Sequence, residues 1–500
     1  MSKLKLSGVS KAYGATVALR RGDLEVAAGE VHVLIGSNGS GKSTLCKIAA
    51  GTVRPDSGEI RLDDKPVEIS GPRGAKALGI GIFYQELSLA AHRTVEENIC
   101  LPDMPLKAGL FVDRNELRSR AARYIALFDG VTGEGFAPET PVGELRPDQR
   151  QLVEIMKALA TEAPVLIFDE PTSALDSAQV ERFFSILKDL KSAGRAMVFI
   201  SHRMDEIFAI GDRVTVIREG ETVGTARIAE TDQSSIIHLM VGSREDLAPP
   251  AEAPAAASST APALLSIDGL SGPGFSDVGF DIARGEILGF GGLHGQGQSA
   301  LLRALFGARQ VTSGTIRLNG ETRTVRSPRE AIRRGFAYVS GDRSRDGVIH
   351  GRPILENVTP IHYLRNRLRL ANPGTLAAKA RPALEALRTK YAGLSAPINS
   401  LSGGNQQKVV IARWLIDRPD ILLLDDPTKG IDLAAKSDLF ALVRKLADEG
   451  VAILLYSSED AELLNNSDRI LVFNGGSVTR ELKGTDRTRY NLYQAAYEAA

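Results

Sequence analysis

Cysteine is nearly missing from this chain. Cys46 and Cys100 supply neither a disulfide framework nor a metal-ligand cluster. Cys46 falls within an apolar helical pattern and reads as a small buried hydrophobe. An excess of either charge is missing too. Lys+Arg and Asp+Glu both number 61, which argues against a general polyanion binder such as a nucleic-acid protein. Long apolar runs are also absent. The longest, such as Ile421 to Leu424 and Val451 to Tyr456, are strand-length, far below the roughly 18 residues of a spanning helix. Met1-Ser2-Lys3-Leu4-Lys5-Leu6 lacks the apolar region of a secretory leader. The expectation is a cytoplasmic chain that would need another polypeptide for any work inside a membrane. With 43% apolar and 24% charged residues the composition is that of a globular protein. Its 500 residues exceed what one hydrophobic core organises, so two or more domains are expected.

An internal repeat sets the organisation. Gly29-Glu30-Val31 returns as Gly285-Glu286-Ile287, and Ser57-Gly58-Glu59-Ile60 as Ser313-Gly314-Thr315-Ile316. Asp169, followed by an acid, Pro and Thr, returns as Asp425. Each pair is separated by 256 positions (285 − 29, 313 − 57, 425 − 169), so the chain reads as two copies of one domain. Between them Pro249 to Ala263 is rich in Ala, Pro, Ser and Thr and has too few large apolar residues to pack. The expected division is domain one at 1–245, a linker at 246–263 and domain two at 264–500. Within each half, short apolar runs of buried-strand type (Val31 to Ile35, Val165 to Phe168, Met197 to Ile200) alternate with helical patterns. That alternation predicts an α/β domain with a mainly parallel sheet. From about Asp113 to Ala160 the pattern is mostly helical, broken around Thr132 to Arg150, and suggests a helical subdomain.

The first half carries a phosphate-transfer set. Gly36-Ser37-Asn38-Gly39-Ser40-Gly41-Lys42-Ser43 fits G-x-x-x-x-G-K-[ST] between a strand and a helix. Glycines let backbone N–H groups wrap phosphates, and the helix N-terminus adds a favourable dipole. Lys42 would neutralise β- and γ-phosphate charge, with the Ser43 hydroxyl placed for Mg²⁺. Asp169 at the end of its strand could hold Mg²⁺ through water, and Glu170 beside it could polarise an attacking water as general base.

Leu401-Ser402-Gly403-Gly404-Asn405-Gln406-Gln407-Lys408 resembles the signature motif of ATP-binding-cassette (ABC) ATPases, in the form found in importers of sugars and related small molecules. The resemblance runs over nearly the whole chain. It implies an α/β fold of two tandem P-loop NTPase domains, each with a mainly parallel core, an antiparallel β part and a helical subdomain. It implies that Gln85 senses Mg²⁺ and the membrane partner, that His202 contacts γ-phosphate, and that Tyr13 stacks on adenine. Ser173 to Asp176 resembles the D-loop. The implied ATP contacts run from Gly36 through Lys42 and Ser43 to Thr44, joined by Ser402, Gly403, Gly404 and Gln406. The implied metal set is Ser43, Gln85 and Asp169, and the catalytic set is Glu170, His202, Gln85 and Lys42. Implied partners are two transmembrane permease subunits, as a homodimer, and a periplasmic or extracellular solute-binding protein. Nucleic acid is not among them. The expected location is the cytoplasmic face of the inner membrane.

Applying the 256-residue offset shows what the second half has lost. Lys42 becomes Gln298, Glu170 becomes Asp426, Gln85 becomes Gly341 and His202 becomes Ser458. The signature decays in the other half, where Arg146, Pro147 and Asp148 stand at the positions of Ser402, Gly403 and Gly404. In the family, two domains pack head to tail, and each site joins one phosphate loop to the other signature. By that resemblance the halves form an intramolecular pseudo-dimer with one complete site and one site defective on both faces. A rival reading, a tandem cassette acting on ribosomes or nucleic acid, is disfavoured by Gln298, by the short Ala/Pro linker and by the zero net charge. A regulatory ATPase without transport is disfavoured by Gln85 and His202. The basic run Arg365 to Arg369 reads as a solvated helix face, or as a lipid-headgroup contact. Asp342 to Asp346 reads as a surface loop or a partner contact. Tyr490, Tyr493 and Tyr497, at spacings of three and four, predict a terminal helix packed on its own domain.

Overall fold

The computed structural model describes residues 2–14, 16–37, 39–84, 87–108, 110–201, 203–242, 262–429 and 433–497. The chain forms two compact units, Met1–Gly242 and Ser243–Ala500. The Ala/Pro-rich stretch lies almost wholly outside the described residues, as do Asn38, Gln85 and His202.

In the first unit five strands run parallel in the order Ile80–Phe83, Val165–Asp169, Ala196–Ile200, Val31–Ile35 and Arg213–Arg218. The three inner strands, Val31–Ile35, Val165–Asp169 and Ala196–Ile200, are buried along their whole length. Continuous apolar runs such as Val-Leu-Ile-Phe fit this environment because helices cover both faces of a parallel sheet. The sheet continues through Glu221–Arg227 into an antiparallel part built from Thr16–Ala27, Ser2–Tyr13 and Ser57–Leu62. The second unit repeats the plan, with its antiparallel strands in a separate four-stranded sheet beside a six-stranded one.

The helical subdomain of the first unit contains Val95–Cys100, Arg114–Ala126 and Pro147–Leu159. The break expected around Thr132 to Arg150 falls on the turns between the last two but runs too far, since Pro147 to Arg150 already belong to the third helix. Thr94 and Glu97 form a capping box at the first helix, and the Asp113 carboxylate caps the second. Buried Asn98 knots the entry loop by accepting from the Ala90 N–H and donating to three carbonyls. Asn357 makes the same knot in the second unit. It lies 259 positions after Asn98 (357 − 98), so the repeat carries a local three-residue shift that is cancelled before the signature.

Cys46 is buried in the helix Lys42–Ala49, where burial pushes its thiol well above the ordinary value. The terminal helix Arg489–Tyr497 packs on Arg469–Asn474 as expected, with Tyr493 stacked on Tyr497 and donating to Asp460 at 2.9 Å. The basic run departs from expectation. Its helix stops at Arg365, and Arg367 turns left-handed at φ 54°. The Arg365 guanidinium is half-buried and donates to the carbonyls of Asp417 and Arg418 at 2.6 and 3.0 Å. A guanidinium that satisfies orphan carbonyls is a structural tie, so the run is not one solvated face.

The parallel sheet of the first unit is sealed against its helices by Phe168, whose ring meets Phe183 edge-on at 5.4 Å and Phe83 at 6.4 Å. Phe168→Ala is expected to destabilise this unit by about 3–5 kcal/mol. Phe111→Ala, at a 73% exposed residue, should cost under about 0.5 kcal/mol. Urea titration followed by circular dichroism measures both. Equal shifts in midpoint would refute this account of the core.

Candidate functional site

The fully buried strand Val31–Ile35 delivers the chain into the phosphate loop. A side chain at Gly36 would stand 2.1 Å from the Ile217 carbonyl, and Gly41, at φ 106°, caps the helix that begins at Lys42. Both positions therefore require glycine. The Lys42 ammonium is buried and donates to the carbonyls of Gly36 and Ser37 at 2.7 and 2.9 Å. Burial pushes its pKa down, and the charges of Glu170 and Asp169 work against that shift. Gly39, Ser40, Ser43 and Thr44 complete the loop and the first helical turn, with Ser40 buried beside Gly36. Tyr13 ends its strand at a tight hairpin with its ring about half exposed. Lys11 stands over that ring at 5.9 Å.

Asp169 closes the strand Val165–Asp169 and is buried. Burial raises its pKa, the Ser43 hydroxyl bonded to it opposes the shift, and the Glu170 charge adds to it. Glu170 sits at φ 52°, in the left-handed region. A non-glycine residue there costs on the order of 1–3 kcal/mol and needs support from its surroundings. Two ties supply it. The Glu170 N–H donates to the Ile200 carbonyl at 3.1 Å. Gln151, on the helix Pro147–Leu159, donates to the carbonyls of Glu170 and Pro171 at 3.4 and 2.8 Å.

A buried carboxylate that sequence reasoning missed braces the next segment. Glu206 accepts from the hydroxyls of Thr172 and Ser201 at 3.0 and 2.5 Å, which joins the acid-pair turn to the segment that leads into His202. Glu462 makes the same two bonds with Thr428 and Ser457. The signal was present: all three residues recur at the 256-residue offset (206 to 462, 172 to 428, 201 to 457).

The second unit keeps the backbone of this site and changes its chemistry. Gly297 has φ 109°, and a side chain at Gly292 would stand 2.2 Å from the Phe473 carbonyl. Gln298 copies Lys42 without the charge, donating to the carbonyls of Gly291 and Leu293, both at 3.1 Å. Asp426 keeps the left-handed turn at φ 54°. Its carboxylate accepts from the Ser458 N–H and hydroxyl at 3.0 Å. Asp425, the counterpart of Asp169, has both oxygens engaged. Ser299 donates to one and Tyr338 to the other, each at 2.5 Å, and Arg303 stands 3.8 Å away. The first unit has Ile82 where Tyr338 stands, so the hydroxyl on Asp425 is particular to the second unit. At the hairpin end held by Tyr13 in the first unit, the second has Gly272, paired with Phe275 as Tyr13 is with Thr16.

The signatures differ in the same residue-by-residue way. In the second unit Ser402 caps the helix Gly403–Leu415, with Gly403 and Gly404 in its first turn. Gln406 donates to the carbonyls of Leu401 and Ile398 at 3.1 and 3.4 Å, so its amide braces the preceding turn. In the first unit the corresponding helix starts at Pro147, which has no N–H to offer an anion. Arg146 closes on Asp148 through two bonds of 3.1 and 2.9 Å, and Gln179 donates to the same carboxylate at 3.2 Å. The Arg146 bonds lead in lowering Asp148 to about 2. Asp148 therefore keeps its charge at any ordinary pH, and that charge is answered within the motif.

No described helix is long and apolar enough to cross a membrane, and no described cluster of His, Cys, Asp and Glu has the makings of a metal centre of its own. The ABC transporter family matches residues 19–173 and again 275–429. Over 498 residues the chain is 43% identical to a ribose/galactose/methyl galactoside import ATP-binding protein of Burkholderia cenocepacia, so named provisionally. That match covers 99% of this chain and 96% of the relative. It is 41% identical over 505 residues to a ribose import ATP-binding protein of Rubrobacter xylanophilus, with 99% of both chains covered. With two family matches in tandem and relatives of this closeness along its full length, the chain belongs to the ABC transporter family, as one of its ATP-hydrolysing subunits with two cassettes.

Proposed function

We propose that this chain powers the import of a monosaccharide or similar small polar solute through separate membrane subunits, using one competent ATP site. The observation that carries the reading is the way the defects sort. Lys42, Asp169 and Glu170 stand together in one unit, while the intact Ser402-Gly403-Gly404 turn stands in the other. Gln298, Asp426, Arg146, Pro147 and Asp148 fill the complementary places. If each ATP joins the phosphate loop of one unit to the signature of the other, these losses all fall in one site. Random drift would have scattered them. The partners in this reading are two copies of a transmembrane permease and an extracytoplasmic solute-binding protein, with the chain on the cytoplasmic face of the inner membrane. The solute class follows the names of the ribose and galactose import relatives.

Ser43 and Asp169 fit Mg²⁺, with Gln85 as a further ligand. A hydroxyl bonded to a buried carboxylate whose pKa is raised by burial and by a neighbouring acid is a donor set that a cation stabilises. Bound there with ATP, the ion would neutralise phosphate charge. The chain's own residues do the rest. The loop glycines admit the phosphates to backbone N–H groups, and Lys42 turns from its own carbonyls toward the β- and γ-oxygens. Glu170, held off the strand by its left-handed turn, takes the proton of the attacking water. His202 and the Ser402 turn hold the γ-phosphate, and Tyr13 stacks on the base. Release of phosphate removes the group that bridges the units, so hydrolysis reopens them.

Steady-state hydrolysis in the assembled transporter tests the one-site reading. Glu170→Gln should lower kcat by about a hundredfold or more, and Asp426→Asn should leave most of it. Equal losses would mean that both sites turn over. The signatures make a second test. Gly404→Asp puts into the second unit the carboxylate that the first carries at 148, and it should cost about two orders of magnitude in turnover. Asp148→Gly should leave the rate within about twofold. A rate that falls with Asp148→Gly and survives Gly404→Asp would reverse the assignment of the two signatures.

A further inference from the structure

Asp425 ends the buried strand Ile421–Asp425 as Asp169 ends its own, yet the two carboxylates are answered differently. In the first unit the Ser43 hydroxyl is bonded to the acid. Ser299 repeats that bond in the second unit at 2.5 Å. The second unit then adds a group from the neighbouring strand Phe336–Ser340, which pairs in parallel with Ile421–Asp425. Tyr338 donates to the other Asp425 oxygen at 2.5 Å, and its own oxygen accepts from Arg303 Nε at 3.2 Å. Burial, and after it the Asp425 charge, pushes the Tyr338 hydroxyl above its ordinary value, so it keeps its proton and stays a donor. The far end of Arg303 is held by Asp346 at 3.2 Å, and Asp346 accepts from Ser340 at 3.0 Å.

The 256-residue offset separates what the units share from what is new. Arg303 falls at Lys47, whose charge also acts on Asp169, so a cation near the acid is common to both. The tyrosine hydroxyl is not, because Tyr338 falls at Ile82. Two more aromatic residues accompany it. Phe306 stacks on the Tyr338 ring at 5.2 Å, and Trp414 meets Phe306 edge-on at 5.9 Å. Phe306 falls at Ala50 and Trp414 at Ala158. All three positions are aliphatic in the unit where Mg²⁺ fits and aromatic in the other. Stacking fixes the ring, and the fixed ring holds the hydroxyl on Asp425. A divalent cation at this acid needs oxygen lone pairs turned toward it. It would have to displace a hydroxyl whose ring is clamped, beside a guanidinium that stands 3.8 Å from the same carboxylate and repels it. This donor set does not fit Mg²⁺.

We propose that the second cassette excludes the divalent cation, and that the Tyr338 hydroxyl is the group that closes Asp425 to it. Phe306 and Trp414 are its positioning residues. The assignment rests on the one-site reading given above. Bound metal is counted by equilibrium dialysis of the full chain against Mn²⁺ and ATP, in a Glu170→Gln background so that ATP persists. About one Mn²⁺ per chain is expected, and Asp169→Asn should remove it. Tyr338→Phe keeps the ring and its packing and should admit a second ion, which Asp425→Asn removes again. Tyr338→Ile, the residue of the first unit, should act in the same way. An ion that survives Asp169→Asn and is lost with Asp425→Asn would show that the second cassette takes the metal with Tyr338 in place. A count unchanged by both Tyr338 variants would show that the hydroxyl excludes nothing. Either result overturns the assignment. Turnover of Asp425→Asn with Glu170 intact, in the assembled transporter, then separates it from the reading beneath it. If a second ion is bound and Asp425→Asn leaves turnover in place, the metal assignment alone fails. If Asp425→Asn abolishes turnover together with that ion, the one-site reading fails as well.

Discussion

Charge balance in a buried pocket governs both cassettes. Lys42 places an ammonium out of water, and an unanswered charge there would cost several kcal/mol. Two carbonyls accept from it, and Asp169 and Glu170 supply the opposite sign. The acids need the lysine as much as it needs them, because burial raises Asp169 and Glu170 raises it further. Once Gln298 takes the place of the lysine, the geometry of the two carbonyl bonds survives and the charge does not. Asp425 and Asp426 then have to be answered by other means. Beside the Ser299 hydroxyl, which matches Ser43 of the first unit, the second unit does so with hydroxyls from Tyr338 and Ser458, a backbone N–H, and Arg303 nearby. The changes around the lysine position are thus one adjustment made in several places. A half-compensated acid pair in a dry pocket is worse than either complete solution.

Backbone and chemistry have separated in this molecule. Glu170 and Asp426 share a left-handed φ although only one is the expected general base. The turn is imposed by its supports, which are the same in both units: an N–H to the neighbouring strand, a glutamine from the signature helix, and a buried glutamate joining two hydroxyls. Those supports also tie together the strands and helices around the pocket. Neither Lys42 nor the Glu170 carboxylate is among those supports. That asymmetry explains why the second cassette remains a recognisable copy with its phosphate-site side chains replaced.

Much of this was legible in the sequence because its cause is local or periodic. The glycine loop, the buried strands, the helical subdomain with its break, and the terminal tyrosine helix each follow from spacing within a short window. The tandem order followed from the constant offset. Less legible were the groups that meet across long separations. Tyr338 reaches Asp425 over 87 positions, and Arg365 reaches carbonyls more than 50 positions away. Neither residue type announces a partner, and a cluster of arginines reads as solvated until the backbone shows orphan carbonyls beneath it. Glu206 and Glu462 are an intermediate case. Their recurrence at the offset was visible, yet a lone glutamate in a helix carries no sign that it is buried. The closing of Arg146 on Asp148 was half visible, since both residues were known and only their mutual geometry was missing.

The two signatures differ in geometry where composition does not separate them. Both units carry a cation near the start of this helix, and counting charges would rate them alike. In the first unit the arginine is on the motif itself and is held two residues on by Asp148. Pro147 opens the helix of the first unit, and its missing N–H leaves one donor fewer for an anion. In the second unit Arg343 comes from another segment, and a side chain at Gly403 would collide with its guanidinium. A cation that has its carboxylate within the motif is already neutralised. The first signature therefore offers an anion one backbone N–H fewer and an arginine already answered by Asp148.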